Sequence, residues 1–273
     1  MEELHCDNLE RKIGSGIRTA LENNEFQLFY QPKVKSENGE IAGVEALIRW
    51  QSSEFGNVSP SLFIPIVEKN GLIIELTEWV MMTACRQMKS WREEGVRIEK
   101  VAVNISAVLF HYHDLIGMVE RVLKETKLSP SMLELEITET GLMENIENAI
   151  LTLENLQKMG VSIALDDFGT GISSLTYLKE LPLNTSKIDK SFIDGIPINE
   201  KDTAIMETIL KLAENLDLTV VAEGVEEAEQ VEFLKRKTCH YIQGYFFGRP
   251  LPPDEVKQLY GEKQASDFII VTN

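Results

Sequence analysis

Residues 162–175 read SIALDDFGTGISSL, which sets Asp166 and Asp167 side by side at the end of a short apolar run. Other polar residues interrupt apolar runs elsewhere: Glu45 in IAGVEALIRW, Asn104 in KVAVNIS, Glu136 in LELEIT, Lys187 in SKID, Glu223 in TVVAEGV and Gln243 in YIQGYFFG. A polar group among apolar neighbours is costly unless it is paired or ligated. Glu45, Glu136, Asp166, Asp167 and Glu223 are carboxylates. A pair of like charges about 4 Å apart costs roughly 4 kcal/mol at an effective dielectric near 20. Several such pairs would rival the roughly 5–15 kcal/mol that stabilises a typical domain. Lys187 offers one positive charge, so the rest of the offset falls to metal ions or to raised carboxyl pKa values. Oxygen donors without His or Cys select a hard divalent cation, Mg2+, Mn2+ or Ca2+, over zinc.

Asp166 and Asp167 add a geometric demand. Successive residues of a strand face opposite ways, so both can serve one site only where the strand breaks, and Phe168-Gly169 with Gly171 permits a break. As ligands at a bend they can touch two ions about 3.5–4 Å apart.

Eight strand candidates position these residues. FQLFYQPKV (26–34), IAGVEALIRW (41–50), KVAVNIS (100–106) and LELEIT (133–138) come first; SIALDDF (162–168), SKID (186–189), TVVAEGV (219–225) and YIQGYFFG (241–248) follow. Amphipathic helical stretches lie between them, among them IIELTEWVMMTACRQMKSWREEG, DLIGMVERVLKE, NIENAILTLENLQKMG, DTAIMETILKLAENL and EAEQVEFLKRK. Alternating strands and helices with no Ser/Pro/Gly-rich linker predict an α/β fold, a (β/α)8 TIM-like barrel. Its functional residues belong at the carboxyl ends of the strands, which brings the six interrupting residues and the aspartate pair to one mouth. Only SENGE joins the first two strands, and its Asn38-Gly39 is a hairpin signal. A parallel pair needs a far longer crossover, so the first strand is predicted antiparallel to the second. Residues 1–260 read as one barrel domain with an N-terminal helix near 8–22, and 261–273 as a C-terminal tail.

Composition narrows the partners. A 43% hydrophobic content over 273 residues supports a substantial core, and the net charge of -17 argues against polymeric nucleic acid as a ligand. Cys6, Cys85 and Cys239 are scattered and lack CxxC spacing, which disfavours disulfides and zinc and fits a reducing cytoplasm. No apolar run is long enough to span a bilayer.

Several signals carry less. An Asp pair before Gly is by itself an ordinary turn or helix start. Asp167-Phe168-Gly169 matches a kinase metal motif, but no glycine-rich nucleotide loop or HRD segment accompanies it. His111 and His113 read as surface histidines in a loop before a helix. Trp79, Met81, Met82 and Trp91 read as packing residues of one helix.

At Glu45-Ala46-Leu47, followed by Arg49 and Trp50, the chain resembles the EAL family of bacterial cyclic di-GMP phosphodiesterases. The likeness runs from about Phe26 to Pro252. It takes in YQP with Gln31, VNIS with Asn104, EITE with Glu136 and Glu139, DDFGTGISSL, KIDKSFI with Lys187 and Asp189, EGVE with Glu223, and QGYFFGRPLP with Gln243. The resemblance implies a barrel with an antiparallel first strand and hydrolysis of cyclic di-GMP to linear pGpG. It implies Mg2+ or Mn2+ in a two-metal site, with Ca2+ binding but not supporting turnover. Glu45, Asn104, Glu136 and Asp166 would hold one ion and Asp166, Asp167 and Glu223 the other. Lys187 would orient the attacking water with help from Gln243, and Glu45 and Glu223 would share in catalysis. Gln31, Arg49 and Asp189 would contact substrate, and Glu139 would pin the loop after the fifth strand. A homodimer and sensory or cyclase domains outside this chain belong to the same expectation. The alternative is a non-catalytic cyclic di-GMP receptor with an EAL-like barrel.

Overall fold

The computed structural model describes residues 12–14, 16–112, 114–138, 142, 146–169 and 178–260. Cys6, His113, Glu139, Gly171 and the tail 261–273 lie outside the described residues. Residues 12–14 and 16–22 are helical, within the span foreseen for an N-terminal helix.

A closed ring is formed by β1 (Phe26–Lys35), β2 (Ile41–Ser52), β4 (Lys100–Ile105), β5 (Leu133–Thr138), β6 (Ser162–Phe168), β7 (Thr185–Ile188), β8 (Thr219–Ala222) and β9 (Tyr241–Gln243). β1 runs antiparallel to both of its neighbours, β2 and β9, whereas the other neighbours in the ring pair in parallel. The foreseen hairpin makes that reversal. Lys35 N donates to Glu40 O at 2.8 Å, and Gly39 takes a φ of +74°, where a side chain would be strained. A short strand that sequence reading missed, β3 (Gly56–Val58), folds back on the end of β2.

Period-two alternation builds two different surfaces from one strand. In β5, Leu133, Leu135 and Ile137 are fully buried in the apolar layer between strands and helices, while Glu134 and Glu136 enter the barrel. The helices covering the ring begin with α1 (Pro60–Lys69), α2 (Ile73–Glu93), α3 (Val108–Tyr112), α4 (Leu115–Thr126) and α5 (Ile146–Lys158). They end with α6 (Lys190–Ile193), α7 (Glu200–Asn215), α8 (Ala228–Arg236) and α9 (Pro253–Tyr260). Asp114 caps α4 by accepting from Gly117 N at 2.9 Å, and Asn199 caps α7 through Lys201 N. Along α2, Leu76, Val80, Ala84, Met88 and Trp91 recur at helical spacing and are buried. Trp91 meets Tyr30 edge-on at 4.8 Å, Met81 is buried, and Trp79 and Met82 pack half-buried against the core. A smaller cluster around Phe26, Trp50 and Phe63 joins the mouth end of β1 and β2 to the N-terminal helical residues through Ile13 and Ile17.

Three local expectations change, the first being the strand predicted over 219–225, which ends at Ala222 and leaves Glu223 in the turn after it. The strand predicted over 241–248 ends at Gln243, because the chain turns at Gly244 to lie against the loop after β8. A Cβ there would fall 2.0 Å from Val225 O, and Phe246 N donates back to that oxygen at 3.1 Å. His111, placed in a loop from sequence, lies in α3. Among the described residues no helix is long and apolar enough to cross a membrane.

Candidate active site

The inward residues converge at the carboxyl ends of the parallel strands, on the ammonium of Lys187. Its Nζ lies 2.7 Å from Glu136 Oε2, 2.8 Å from Glu223 Oε1, 3.1 Å from Asp166 Oδ1 and 3.7 Å from Glu45 Oε2. Four strands and the turn after β8 therefore meet at one atom. The register explains the meeting: Asn104 stands opposite Glu136, Thr138 opposite Asp166, and Glu45 opposite Gln31. Asn104 Nδ2 donates to Glu45 Oε1 at 2.7 Å, which leaves its amide oxygen available to a cation. Gln243 Nε2 donates to Glu45 Oε2 at 2.6 Å and to Gln31 Oε1 at 3.2 Å, and Gln31 in turn donates to Gly248 O. Gln243 Oε1 is buried and has no hydrogen-bond donor.

The aspartate pair sits on a break, as the geometry required: β6 ends at Phe168 and Gly169 takes a φ of +92°, as expected, and the distortion begins one residue before them. The β6–β7 register slips between Leu165 and Phe168, and Asp167 itself takes a left-handed φ of +55°. Asp and Asn tolerate that region better than other side-chain-bearing residues. Asp166 continues the inward face, and Asp167 turns away from strict alternation while its carboxyl still feels Asp166, Asp189 and Lys187.

Electrostatics mark the cluster as short of positive charge. Burial pushes Glu223 up to about 8, against the pull of Lys187 and with added repulsion from Asp166, Glu45 and Glu136. Glu45 is raised by burial and by Glu136, and Asp167 by burial and by Asp166. Glu136 goes the other way: burial opposes its charge, yet Lys187 and Lys33 hold its carboxyl down to about 2. Lys187 is also buried, but its carboxylate neighbours hold it well above the ordinary lysine range.

Donor chemistry fits a hard divalent ion: oxygens from Glu45, Asn104, Glu136, Asp166, Asp167 and Glu223, with a buried lysine as the resident cation. Among the described residues no three acidic side chains already surround a point open to a metal, since the Lys187 ammonium sits where their oxygens meet. A cation entering the mouth would therefore share those oxygens with the lysine.

The remaining candidates border this centre. Gln31 and Asp189 line a cavity of about 310 Å3 with Glu45, Glu223, Gln243 and Tyr245. Asp189 also caps α6 through Ser191 N at 3.0 Å; burial would raise its carboxyl, but that bond and others from the same turn hold it below its usual range. Arg49 is half-buried, lies 5.7 Å over the Phe29 ring, and opens onto an adjoining apolar cavity of about 360 Å3 beside Asn104. Arg249 stacks on Tyr245 at 4.1 Å. Sequence reading missed Lys33 and Glu134, both buried. The signal was present: each sits two residues from a recognised site residue, Gln31 and Glu136, on the same strand face.

Comparison with known proteins follows that geometry. Residues 15–250 match the family described as EAL domain. The bifunctional diguanylate cyclase/cyclic di-GMP phosphodiesterase MucR of Pseudomonas aeruginosa is 45% identical over 240 residues, 88% of this chain and 35% of the relative. The cyclic di-GMP phosphodiesterase NbdA of the same organism is 42% identical over 89% of this chain and 31% of its own length. The chain thus spans about a third of these curated relatives. A solved structure described as the PaMucR phosphodiesterase in complex with c-di-GMP superposes with a TM-score of 0.85 at 43% identity, covering 90% of this chain and 99% of that one. The barrel with its reversed first strand, the inward acidic cluster and these matches together make the chain a member of the EAL domain family.

Proposed function

We propose that this chain is a metal-dependent phosphodiesterase that opens one phosphodiester bond of cyclic di-GMP to give linear pGpG, lowering the level of that second messenger. The observation that carries the proposal is the convergence of Glu45, Glu136, Asp166 and Glu223 on Lys187 Nζ at the barrel mouth. Relatives named as cyclic di-GMP phosphodiesterases at 42% and 36% identity, and a superposable c-di-GMP complex, support the substrate.

Two divalent ions, Mg2+ or Mn2+, would supply Lewis acidity toward the phosphate and acidify an attacking water. Glu45, Asn104, Glu136 and Asp166 would hold the first ion, and Asp166, Asp167 and Glu223 the second. Lys187 donates from Nζ to the water and directs its lone pair at phosphorus, and the orphan Gln243 Oε1 accepts one of its hydrogens. Glu45 and Glu223, raised by burial while no cation offsets their charge, would be ionised beside the bound ions and so able to share in taking the proton released as the new O–P bond forms. The opposite P–O3′ bond breaks, and the 3′ oxygen leaves as a hydroxyl by taking up the proton that the attacking water gave to the carboxylate. Gln31 and Asp189 contact the substrate from the cavity they line, and Arg49 meets phosphate. Bound cations and Arg49 invert the local field, which lets a chain of net charge -17 accept a dianion.

The same reading includes Ca2+ binding without turnover, Glu139 as an anchor for the loop after β6, one barrel domain ending near residue 260, a homodimer and a cytoplasmic setting. These rest on the family likeness. The test is turnover: purified chain with Mg2+ or Mn2+ should convert cyclic di-GMP to pGpG. Binding without product would overturn the enzyme reading and leave a receptor.

A further inference from the structure

Beneath the site lies a second buried lysine. Lys33 enters the barrel from β1, opposite Gln243 in the β1–β9 register, and is only 6% exposed. Its Nζ lies 2.6 Å from Glu136 Oε1 and 3.0 Å from Glu134 Oε1, while Glu134 Oε2 accepts from Thr185 Oγ1 at 3.1 Å. Lys187 Nζ holds the other oxygen of Glu136 at 2.7 Å. Glu136 is thus gripped on both oxygens, by one lysine from the floor and one from the mouth.

Stability alone gives no reason for this arrangement. A buried ion pair is commonly matched or bettered by apolar residues of the same volume, so Lys33 with Glu134 adds little that Met with a neutral partner would not. The pair is also neutral within itself, and Glu136 already has Lys187 as a counter-ion. What Lys33 adds is direction. One donor leaves a carboxylate free to turn about its last torsion, whereas two donors on opposite oxygens fix its plane. Lys33 is among the residues lining a cavity of about 340 Å3 on the floor side, and of the two contacts its ammonium makes, the one upward to Glu136 is the shorter.

We infer that Lys33 is a positioning residue: it fixes the Glu136 carboxylate from the floor of the barrel so that this ligand meets a divalent ion in one orientation. The inference rests on the proposed metal site but not on the identity of the substrate. Partners that orient a metal ligand are worth about 10- to 100-fold in metal affinity.

The test is titration calorimetry with Mn2+ on the whole chain, comparing wild type, Glu134→Gln and Lys33→Met/Glu134→Gln. The double variant removes a positive and a negative charge together, so the long-range field at the mouth is little changed; Lys100, 4.0 Å from Glu134 Oε2, loses that partner but is partly exposed and keeps its bond to Ser162 Oγ. Expected is a Mn2+ affinity about 10- to 100-fold weaker in the double variant, with circular dichroism unchanged. Glu134→Gln keeps the Lys33–Glu136 contact and should stay within about 3-fold of wild type, well under that range. With cyclic di-GMP, kcat should fall in the double variant at saturating Mn2+ while KM holds. A folded double variant with wild-type Mn2+ affinity and kcat overturns the inference and leaves the proposed function standing. Wild type that takes up Mn2+ without making pGpG removes the proposed function, and the affinity ratio still decides Lys33. Wild type that takes up no Mn2+ removes both.

Discussion

The two faces of β5 differ in kind. Outward, Leu133, Leu135 and Ile137 lie in the apolar layer beneath the helices; inward, Glu136 sits between two buried lysines and Glu134 pairs with one of them. The outward face removes apolar surface from water, worth roughly 1.5–3 kcal/mol per large side chain. The inward face spends that gain, since desolvated charges recover their cost only through close pairing. One strand therefore divides its labour residue by residue: odd positions hold the barrel together, and even positions hold a destabilising cluster in place. The same division runs through β7, where Ile188 joins the apolar layer and Lys187 the cluster.

That contrast predicts opposite signatures for substitutions on the two faces. Glu45→Ala on the inner face should cost at least about 100-fold in pGpG formation, the upper range for loss of a supporting partner, because it removes a proposed ligand outright. Its fold should persist, since one of several like charges has gone. Near-wild-type turnover in that variant would refute Glu45 as a ligand. Leu135→Ala on the outer face should lose about 2–5 kcal/mol in urea unfolding, the range for emptying a core position. Its kcat per folded molecule should match wild type; a large fall would show that the two faces are coupled through the strand.

Legibility in the sequence followed the same line. Glu45, Asn104, Glu136, Lys187 and Gln243 stood out because each interrupts an apolar run, and the barrel then required them to converge. The reversed β1 was legible from one Asn-Gly turn. Lys33 and Glu134 were not legible because the barrel rule points to strand ends, whereas ionic pairing continues one layer deeper along the same inward faces. The end of β9 was missed because YIQGYFFG alternates well enough for a strand; the contact of Gly244 with Val225 O is tertiary and leaves no local mark. The break in β6 was foreseen at Phe168-Gly169, where Gly169 does take a positive φ; the left-handed Asp167 was not, since aspartate in that region is outnumbered by glycine.

Asp167 sharpens the comparison at the point where the two faces exchange. Its left-handed backbone costs about 1 kcal/mol for a side-chain-bearing residue, and its carboxyl is raised by burial and by Asp166. Asp167→Gly relieves the strain and the repulsion together but loosens the unfolded chain, so a net gain of about 0.5 kcal/mol or more is expected. Hydrolysis should fall in the same variant because a proposed ligand to the second ion has gone. Lower stability with intact hydrolysis would mean that Asp167 serves the fold and not the site.

The smallest effect tests the apolar side at a polar handle near the mouth. Trp50 faces outward into the cluster with Phe26 and Phe63, and its indole N–H donates to Glu25 Oε2 at 3.0 Å. Ser53 Oγ donates to the other oxygen at 2.6 Å. Those bonds, Ser53 first and Trp50 next, hold the Glu25 carboxyl below its ordinary value of 4.5. A carboxyl lowered in the folded state stabilises fully above the unfolded value, and the contribution is lost as pH falls through the lower folded value. Wild type should therefore lose slightly more melting temperature than Glu25→Gln when pH drops from neutral to well below 4.5. The glutamine still accepts from Trp50 and Ser53 but carries no charge to titrate. Equal losses in the two proteins would show that solvent screens this exposed carboxylate completely, leaving the apolar face of the barrel without a titrating contribution at that corner.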